Sequence, residues 1–69
     1  MRFDIQVTDE RKVYTATCWV EGGMLTVRSL DGLGEKPATT SVNNEVLAKI
    51  LLHELINESK GHGWNNKGG

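Results

Sequence analysis

Apolar and polar residues alternate along three stretches in the first half of the chain. In residues 2–8, RFDIQVT, every second side chain is apolar, which is typical of a strand with one buried face. Residues 13–20, VYTATCWV, are rich in β-branched and aromatic types, and residues 24–30, MLTVRSL, form a third such stretch. The polar residues 9–12 and the pair Gly22-Gly23 separate these stretches, and both are turn signals. We therefore expect three consecutive strands.

The two turns predict a register that can be checked, because paired residues lie on the same face of a sheet. With residues 9–12 as the first loop, Phe3 lies opposite Cys18. With Gly22-Gly23 as the second loop, Cys18 lies opposite Val27. Both hairpins then agree on one apolar face, which favours an antiparallel meander in the order 1-2-3. The predicted buried face comprises Phe3, Ile5, Val7, Tyr14, Ala16, Cys18, Val20, Leu25 and Val27.

A helix is predicted in the second half of the chain. Residues 31–42 contain two glycines and a proline, and we expect them to be an irregular connection. A helix then runs from about residue 44 to residue 60, with Asn43 as its N-cap. The polar residues 62–69, HGWNNKGG, predict a flexible tail. The expected fold is one α+β domain over residues 1–61, a three-stranded meander (β-β-β-α) with the C-terminal helix packed on one face.

The predicted helix is more apolar than three short strands require. Leu47, Leu51 and Leu55 form one line that we expect to face the sheet. Apolar residues flank this line on both sides, and they must face residues 31–42, the tail or another subunit. Because two-fold pairs are the commonest oligomers, the sequence predicts a homodimer. The expected dimer interface comprises Val46, Ile50, Leu52 and Ile56.

The opposite face of the predicted sheet carries a tryptophan. Strand alternation places Trp19 on this open face, between Arg2 and Thr26. Tryptophan and arginine are enriched where protein interfaces bind most strongly, so we expect a partner-binding surface here. The alternatives are that Trp64 of the tail folds over Trp19, or that the two faces are reversed. The predicted surface comprises Trp19, Arg2, Thr17, Thr26 and Arg28.

The charge of the chain argues against a nucleic-acid partner. Among 69 residues, eight Lys and Arg face nine Asp and Glu, giving a net charge of −1. Nucleic-acid-binding domains usually show a basic excess or stripe. The β-β-β-α order nevertheless resembles the DNA-binding domains of some phage-type integrases and plant transcription factors. That resemblance, which concerns topology alone, implies a second hypothesis: a nucleic-acid-binding accessory protein that uses the open sheet face, with Arg2, Arg11, Lys12 and Arg28 gathered locally.

Three features of the sequence resemble parts of known catalytic or carrier sites, but none of them is a complete site. HELIN, residues 53–57, differs by one letter from the His-Glu-x-x-His zinc-protease signature, because Asn57 stands where the second histidine ligand would be. Cys18, the only cysteine, lies on the predicted buried face, whereas a catalytic thiol needs a base and partial exposure. The final Gly68-Gly69 is similar to the end of ubiquitin-like sulfur carriers and modifiers, although those place a strand before it. We expect no metal, no cofactor and no enzymatic activity.

The beginning of the chain and its overall hydropathy complete the functional expectation. Met1 leads directly into polar and charged residues without the apolar run of a secretory leader. No stretch approaches the roughly 18 apolar residues of a membrane span. We therefore expect a cytoplasmic protein from a bacterial or phage genome. Its expected function is that of a non-enzymatic protein-interaction module, with an unidentified protein partner.

Overall fold

The computed structural model describes residues 1–61, which form one antiparallel sheet and one helix. The elements are β1 (Arg2–Asp9), β2 (Lys12–Glu21), β3 (Met24–Ser29), β4 (Glu35–Thr39) and α1 (Asn44–Ser59). The strands are ordered β1-β2-β3-β4, and α1 packs on one face of the sheet. The predicted α+β class is confirmed, whereas the prediction of three strands is wrong by one strand. The predicted tail, residues 62–69, lies outside the described residues.

The fourth strand lies inside the segment that was expected to be irregular. Its sequence, EKPAT, contains a proline and has no clear alternation of apolar and polar residues, so the residue pattern does not indicate a strand here. Ala38 pairs with Leu25, and Lys36 pairs with Val27. A lysine, Lys36, therefore occupies a position on the helix side of the sheet where an apolar residue is expected.

Pro37 is tolerated in β4 because β4 is an edge strand. The amide of Thr40 donates to the Gly23 carbonyl at 3.0 Å, and the Gly34 carbonyl accepts from Ser29 at 2.9 Å. Backbone polar groups alternate in direction along a strand, so the even-numbered residues of this segment face β3. The nitrogen of Pro37 therefore faces outward, where its missing N–H costs no ladder hydrogen bond.

The predicted register of the first three strands is confirmed. Phe3 pairs with Cys18, and Cys18 pairs with Val27, as the turn positions predicted. The β1–β2 loop contains only Glu10 and Arg11, because the pairing continues to the residues on either side of them. Both loop residues have positive φ, 50° and 70°, as a two-residue type I′ turn requires. Side chains with a Cβ adopt this left-handed region at a cost that glycine avoids.

The core lies between the sheet and α1. Phe3 and Val20 are half-buried and the other residues of the predicted sheet face are buried, so that prediction is also confirmed. The helix contributes five buried residues to the same core: Ala48, Leu51, Leu52, Leu55 and Ile56.

The helix buries a wider stripe than the one predicted, although Leu51 and Leu55 of the predicted line are buried as expected. Leu52 and Ile56, which were assigned to the homodimer interface, are 0% exposed and belong to the core. Leu47, the first residue of the predicted line, is half-buried and packs against the edge of the core. The fourth strand explains the difference, because it widens the sheet by about 5 Å and lets it cover a broader arc of the helix. Of the expected interface, only Val46 (53% exposed) and Ile50 (49% exposed) remain accessible.

Polar contacts fix both ends of α1. At the start, the Val46 N–H donates to Oδ1 of Asn43 at 3.1 Å, which confirms Asn43 as the N-cap. At the end, Lys60 forms ion pairs with Asp9 and with Glu10, the latter at 2.9 Å. The last turn of the helix is thereby attached to the β1–β2 turn.

The positive φ of Arg11 leads to a prediction about stability. Arg11→Gly should stabilise the chain by about 0.5–1 kcal/mol, because relief of the left-handed strain exceeds the added entropy of an unfolded glycine. A rise in the urea midpoint at an unchanged slope would show this. Thr8→Gly, on the exposed side of β1, is the control and should destabilise the chain. Equal destabilisation by both variants would contradict the turn geometry.

Candidate functional site

One face of the sheet is not covered by α1, and we call it the open face. Strand alternation and the observed register decide which side chains lie on it. They are Arg2, Asp4, Gln6 and Thr8 of β1; Val13, Thr15, Thr17, Trp19 and Glu21 of β2; Met24, Thr26 and Arg28 of β3; and Glu35, Pro37 and Thr39 of β4. Threonines and charged residues dominate this face, and Trp19 is its largest side chain.

Trp19 lies in a row of residues that crosses all four strands. Arg2, Trp19, Thr26 and Pro37 are paired in succession from β1 to β4. The guanidinium carbon of Arg2 lies 5.7 Å from the centroid of the Trp19 ring, within range of a cation–π interaction. Trp19 is half-buried. Its neighbours thus fix the ring on the sheet while part of it stays accessible to a partner.

A second row lies next to the first and contains charges of both signs. Asp4, Thr17, Arg28 and Glu35 are paired in succession across the sheet. Opposite charges on neighbouring strands, such as Arg28 and Glu35, favour each other. This row gives the surroundings of Trp19 a polar, mixed-charge character.

The structure brings all five residues of the predicted surface into these two adjacent rows. The two faces are not reversed, because Cys18, Trp19's neighbour in sequence, is fully buried on the helix side. Pro37 and Glu35 complete the rows and were missed because β4 was missed. Recognising EKPAT as an edge strand, in which proline is allowed, would have found them. The alternative involving Trp64 lies outside the described residues.

The open face has no excess of positive charge. Arg2 and Arg28 are its two cations, and Asp4, Glu21 and Glu35 are its three carboxylates.

The other two cations of the predicted basic group lie elsewhere. Arg11 is in the β1–β2 turn, at the far end of β1 from Arg2. The ammonium group of Lys12 lies 5.0 Å from the centroid of the Tyr14 ring, and both side chains belong to the helix side of the sheet. The four cations therefore do not gather into one basic patch.

The residues that suggested chemistry stand apart from one another. His53 is exposed on α1, His62 lies outside the described residues, and no group of three or more metal-ligating side chains occurs within residues 1–61. Cys18 is fully buried, and this burial, with a smaller effect from the charge of Asp4, raises the pKa of its thiol to about 11. The thiol therefore stays protonated at neutral pH and packs as a small apolar group.

The chain matches no protein-family model, and comparisons with curated proteins and with solved structures give no significant match.

In the part of the chain that the structure describes, no helix has the length and apolarity needed to cross a membrane.

Burial of Cys18 leads to a prediction about reactivity and pH. The native thiol should resist iodoacetamide at pH 8 and react quickly in urea. Burial raises its pKa from 9.0 to about 11, so the unfolded thiol loses its proton first. Its contribution to stability is therefore fully present below pH 9 and is lost as the pH rises toward 11. Urea unfolding between pH 8 and pH 11 measures this loss.

Cys18→Ala is the matched control for the pH effect. Tyrosine and lysine side chains also titrate in this range, and the variant retains them while lacking the thiol. The loss of stability between pH 9 and pH 11 should therefore be smaller in Cys18→Ala than in the wild type. Equal slopes, or rapid alkylation of the native protein, would contradict the buried environment of the thiol.

Proposed function

We propose that the protein is a small non-enzymatic interaction module that binds a protein partner through the open face. The observation that carries this proposal is Trp19, half-buried on the uncovered face of an inner strand, with the guanidinium group of Arg2 5.7 Å from its ring centroid. Tryptophan and arginine are the side chains that most often dominate binding energy at protein interfaces. The proposal includes a cytoplasmic location and an accessory role in a bacterium or phage, and it involves neither a cofactor nor a metal.

The surroundings of Trp19 fit a protein partner. Thr17 and Thr26 lie beside the ring, and Arg2 and Arg28 lie at its edges, so an aromatic centre is enclosed by polar groups. This arrangement resembles an interface hot spot, in which polar neighbours exclude water from a large anchor side chain. Threonine and arginine side chains also supply donors and acceptors for hydrogen bonds across the interface. The expected partner therefore presents an apolar pocket with a polar border.

Self-association remains part of the proposal, but the helix flank is now a weak candidate for it. Val46 and Ile50 are the two accessible residues of the four that were expected there. An Ile56→Glu substitution would place a charge in the core and unfold the chain instead of separating a dimer. A homodimer therefore needs another surface.

Site-specific crosslinking tests the proposed partner surface. A photoreactive amino acid at Thr26, on the open face, should crosslink a defined protein in an extract of the native host, whereas one at Ile50 should not. Mass spectrometry identifies the product. With the purified partner, Trp19→Ala should weaken binding by about 30-fold or more, the loss expected for a hot-spot residue.

Val46→Ala is the matched control, because it truncates an exposed apolar side chain on α1. It should leave the affinity unchanged. Thermal unfolding of both variants should show that the fold is intact. Crosslinks from Ile50 alone, or a Trp19→Ala variant that binds like the wild type, would contradict the proposal.

Nucleic-acid binding is the second candidate function, favoured by Arg2, Trp19 and Arg28 on one sheet face. Exposed aromatic rings between cations can stack on single-stranded bases. The excess of carboxylates opposes it, so we predict an affinity no tighter than the non-specific range of about 10⁻⁴ to 10⁻⁶ M at physiological salt. Fluorescence anisotropy with mixed-sequence DNA and RNA measures it. Submicromolar binding that is lost in Arg2→Ala with Arg28→Ala, but kept in Arg11→Ala, would reverse the order of the two functions.

A further inference from the structure

The two edges of the sheet differ in how they are protected against pairing with another chain. On β4, the nitrogen of Pro37 occupies an outward position and offers no donor. Lys36 of the same strand points to the helix side, where it forms ion pairs with Glu54, at 3.5 Å, and with Glu58. Proline and inward-pointing lysine are two devices that natural proteins use to block edge-to-edge association. The β4 edge is therefore protected against pairing with another strand.

The β1 edge has no proline, and its inward-pointing charged residue, Asp9, is the last residue of the strand, outside residues 2–8. The Val20 N–H donates to the Met1 carbonyl at 2.9 Å, so the odd-numbered residues of β1 face β2 and the even-numbered ones face outward. Arg2, Asp4, Gln6 and Thr8 thus present their N–H and C=O groups at the edge. No hydrogen bond to these groups is found within residues 1–61.

The shape of β1 also suits pairing. All eight of its residues pair with β2 without a bulge, and none of them has a positive φ. A long, regular strand with unpaired backbone groups is a template for another strand. β1 contains no proline, so every outward position offers a donor as well as an acceptor.

We propose that β1 pairs with β1 of a second copy of the chain, antiparallel and across a two-fold axis, to form an eight-stranded sheet. This proposal does not rest on the partner-binding role of the open face. It replaces the helix flank as the site of self-association, and it uses the surface whose backbone groups are unsatisfied within the described fold.

The side chains select one register of this pairing. Outward residues must lie opposite outward residues, so the axis can pass through Asp4, Ile5 or Gln6. The register centred on Asp4 places two carboxylates directly opposite each other, which is destabilising. The register centred on Gln6 places Phe3 opposite the carboxylate of Asp9.

The register centred on Ile5 avoids both conflicts. It pairs Asp4 with Gln6 and Arg2 with Thr8 on the open face. On the helix side it pairs Phe3 with Val7 and Ile5 with its own copy, so apolar residues meet apolar residues. This register also overlaps residues 2–8 completely. The strand is therefore self-complementary in both backbone and side-chain pattern.

Apolar surface beside the β1 edge supports a copy of the chain as the occupant. Phe3 is half-buried and borders an open groove of about 480 Å³, which is also lined by Met1, Asp4, Val42 and the first turn of α1. Met1 is 74% exposed in the single chain. In the proposed pairing, Val7 of the second copy lies beside Phe3 and extends the apolar surface at this border.

The dimer would carry both open faces on the same side of one continuous sheet. The two Trp19 side chains would be separated by three strand spacings and six residues, or about 25 Å. A partner that binds both would gain from the increase in effective concentration without a new kind of contact. The dimer therefore presents two copies of the open face side by side on one continuous surface.

Charge substitutions at Gln6 test the edge and the register together. Gln6→Asp places a second carboxylate opposite Asp4 of the other copy and should weaken dimerisation by roughly fivefold or more, counting both symmetry-related pairs. Gln6→Lys places an ammonium group there and should strengthen dimerisation. Thr39→Asp and Thr39→Lys, on the β4 edge, are matched controls that should leave the dimer unchanged. Sedimentation equilibrium of the full chain across micromolar concentrations measures all five proteins, including the wild type.

A proline substitution and NMR spectroscopy test the backbone pairing. Gln6→Pro removes an outward N–H while preserving the β1–β2 ladder, and should weaken the dimer by about tenfold or more, whereas Thr39→Pro should have no effect. In a mixed sample of labelled and unlabelled chains, an intermolecular nuclear Overhauser effect should join the α protons of Phe3 and Val7. The outward amides of Asp4 and Gln6 should become protected from exchange as concentration rises.

Three results would overturn the proposal. One is a chain that remains monomeric at all concentrations. Another is a dimer that is insensitive to the Gln6 variants but dissociates in Ile50→Glu, which would return the contact to the helix. The third is a dimer without the contact between Phe3 and Val7. Trp19→Ala should leave self-association intact, so failure of the partner proposal and failure of this one are distinguishable.

Discussion

The contact between α1 and the apolar face of the sheet stabilises every other feature of this fold. A chain of 69 residues with one cysteine cannot form an internal disulfide, so its stability depends on a single small core. Cys18, Leu25 and Val27 supply the sheet side of this core, and Leu52 and Ile56 supply the helix side. One helix can cover only one face of a sheet. The single helix that completes the core therefore leaves the face around Trp19 uncovered.

Two lysines connect the helix to opposite sides of the sheet. Lys36 joins α1 to β4, and Lys60 joins it to the β1–β2 turn on the opposite side. Exposed ion pairs contribute little to stability, so their effect is chiefly orientation. Together they favour one direction of the helix along the strands. The same arrangement uses Lys36 to close the β4 edge, which links the packing of the helix to the asymmetry between the two edges.

The sequence predicts the first three strands well, because the register of a hairpin depends on the midpoint of its turn. The expected first loop, residues 9–12, is longer than the observed loop of Glu10 and Arg11, but both have the same midpoint. Phe3, Cys18 and Val27 therefore fall on one face by parity alone. β4 escaped prediction because its inward positions are Lys36 and Ala38, whose burial depends on partners distant in sequence. The helix face depended in turn on the width of the sheet, so the burial of Leu52 could not be derived from periodicity. The pairing of the same three strands also predicted that Arg2, Trp19 and Thr26 are neighbours. Pro37, the fourth residue of that row, was missed because β4 was not predicted.

The sequential order of the meander has a consequence for folding during synthesis. All four strands precede the helix, and each pairs with the strand before it. The twenty residues from Thr40 to Ser59 must still be added after β4 is complete, which takes about one to four seconds at cellular elongation rates. Throughout that interval the apolar residues of the four strands have no helix to cover them. The nascent chain therefore passes through a stage in which a chaperone that binds exposed apolar strands competes with the chain's own last element.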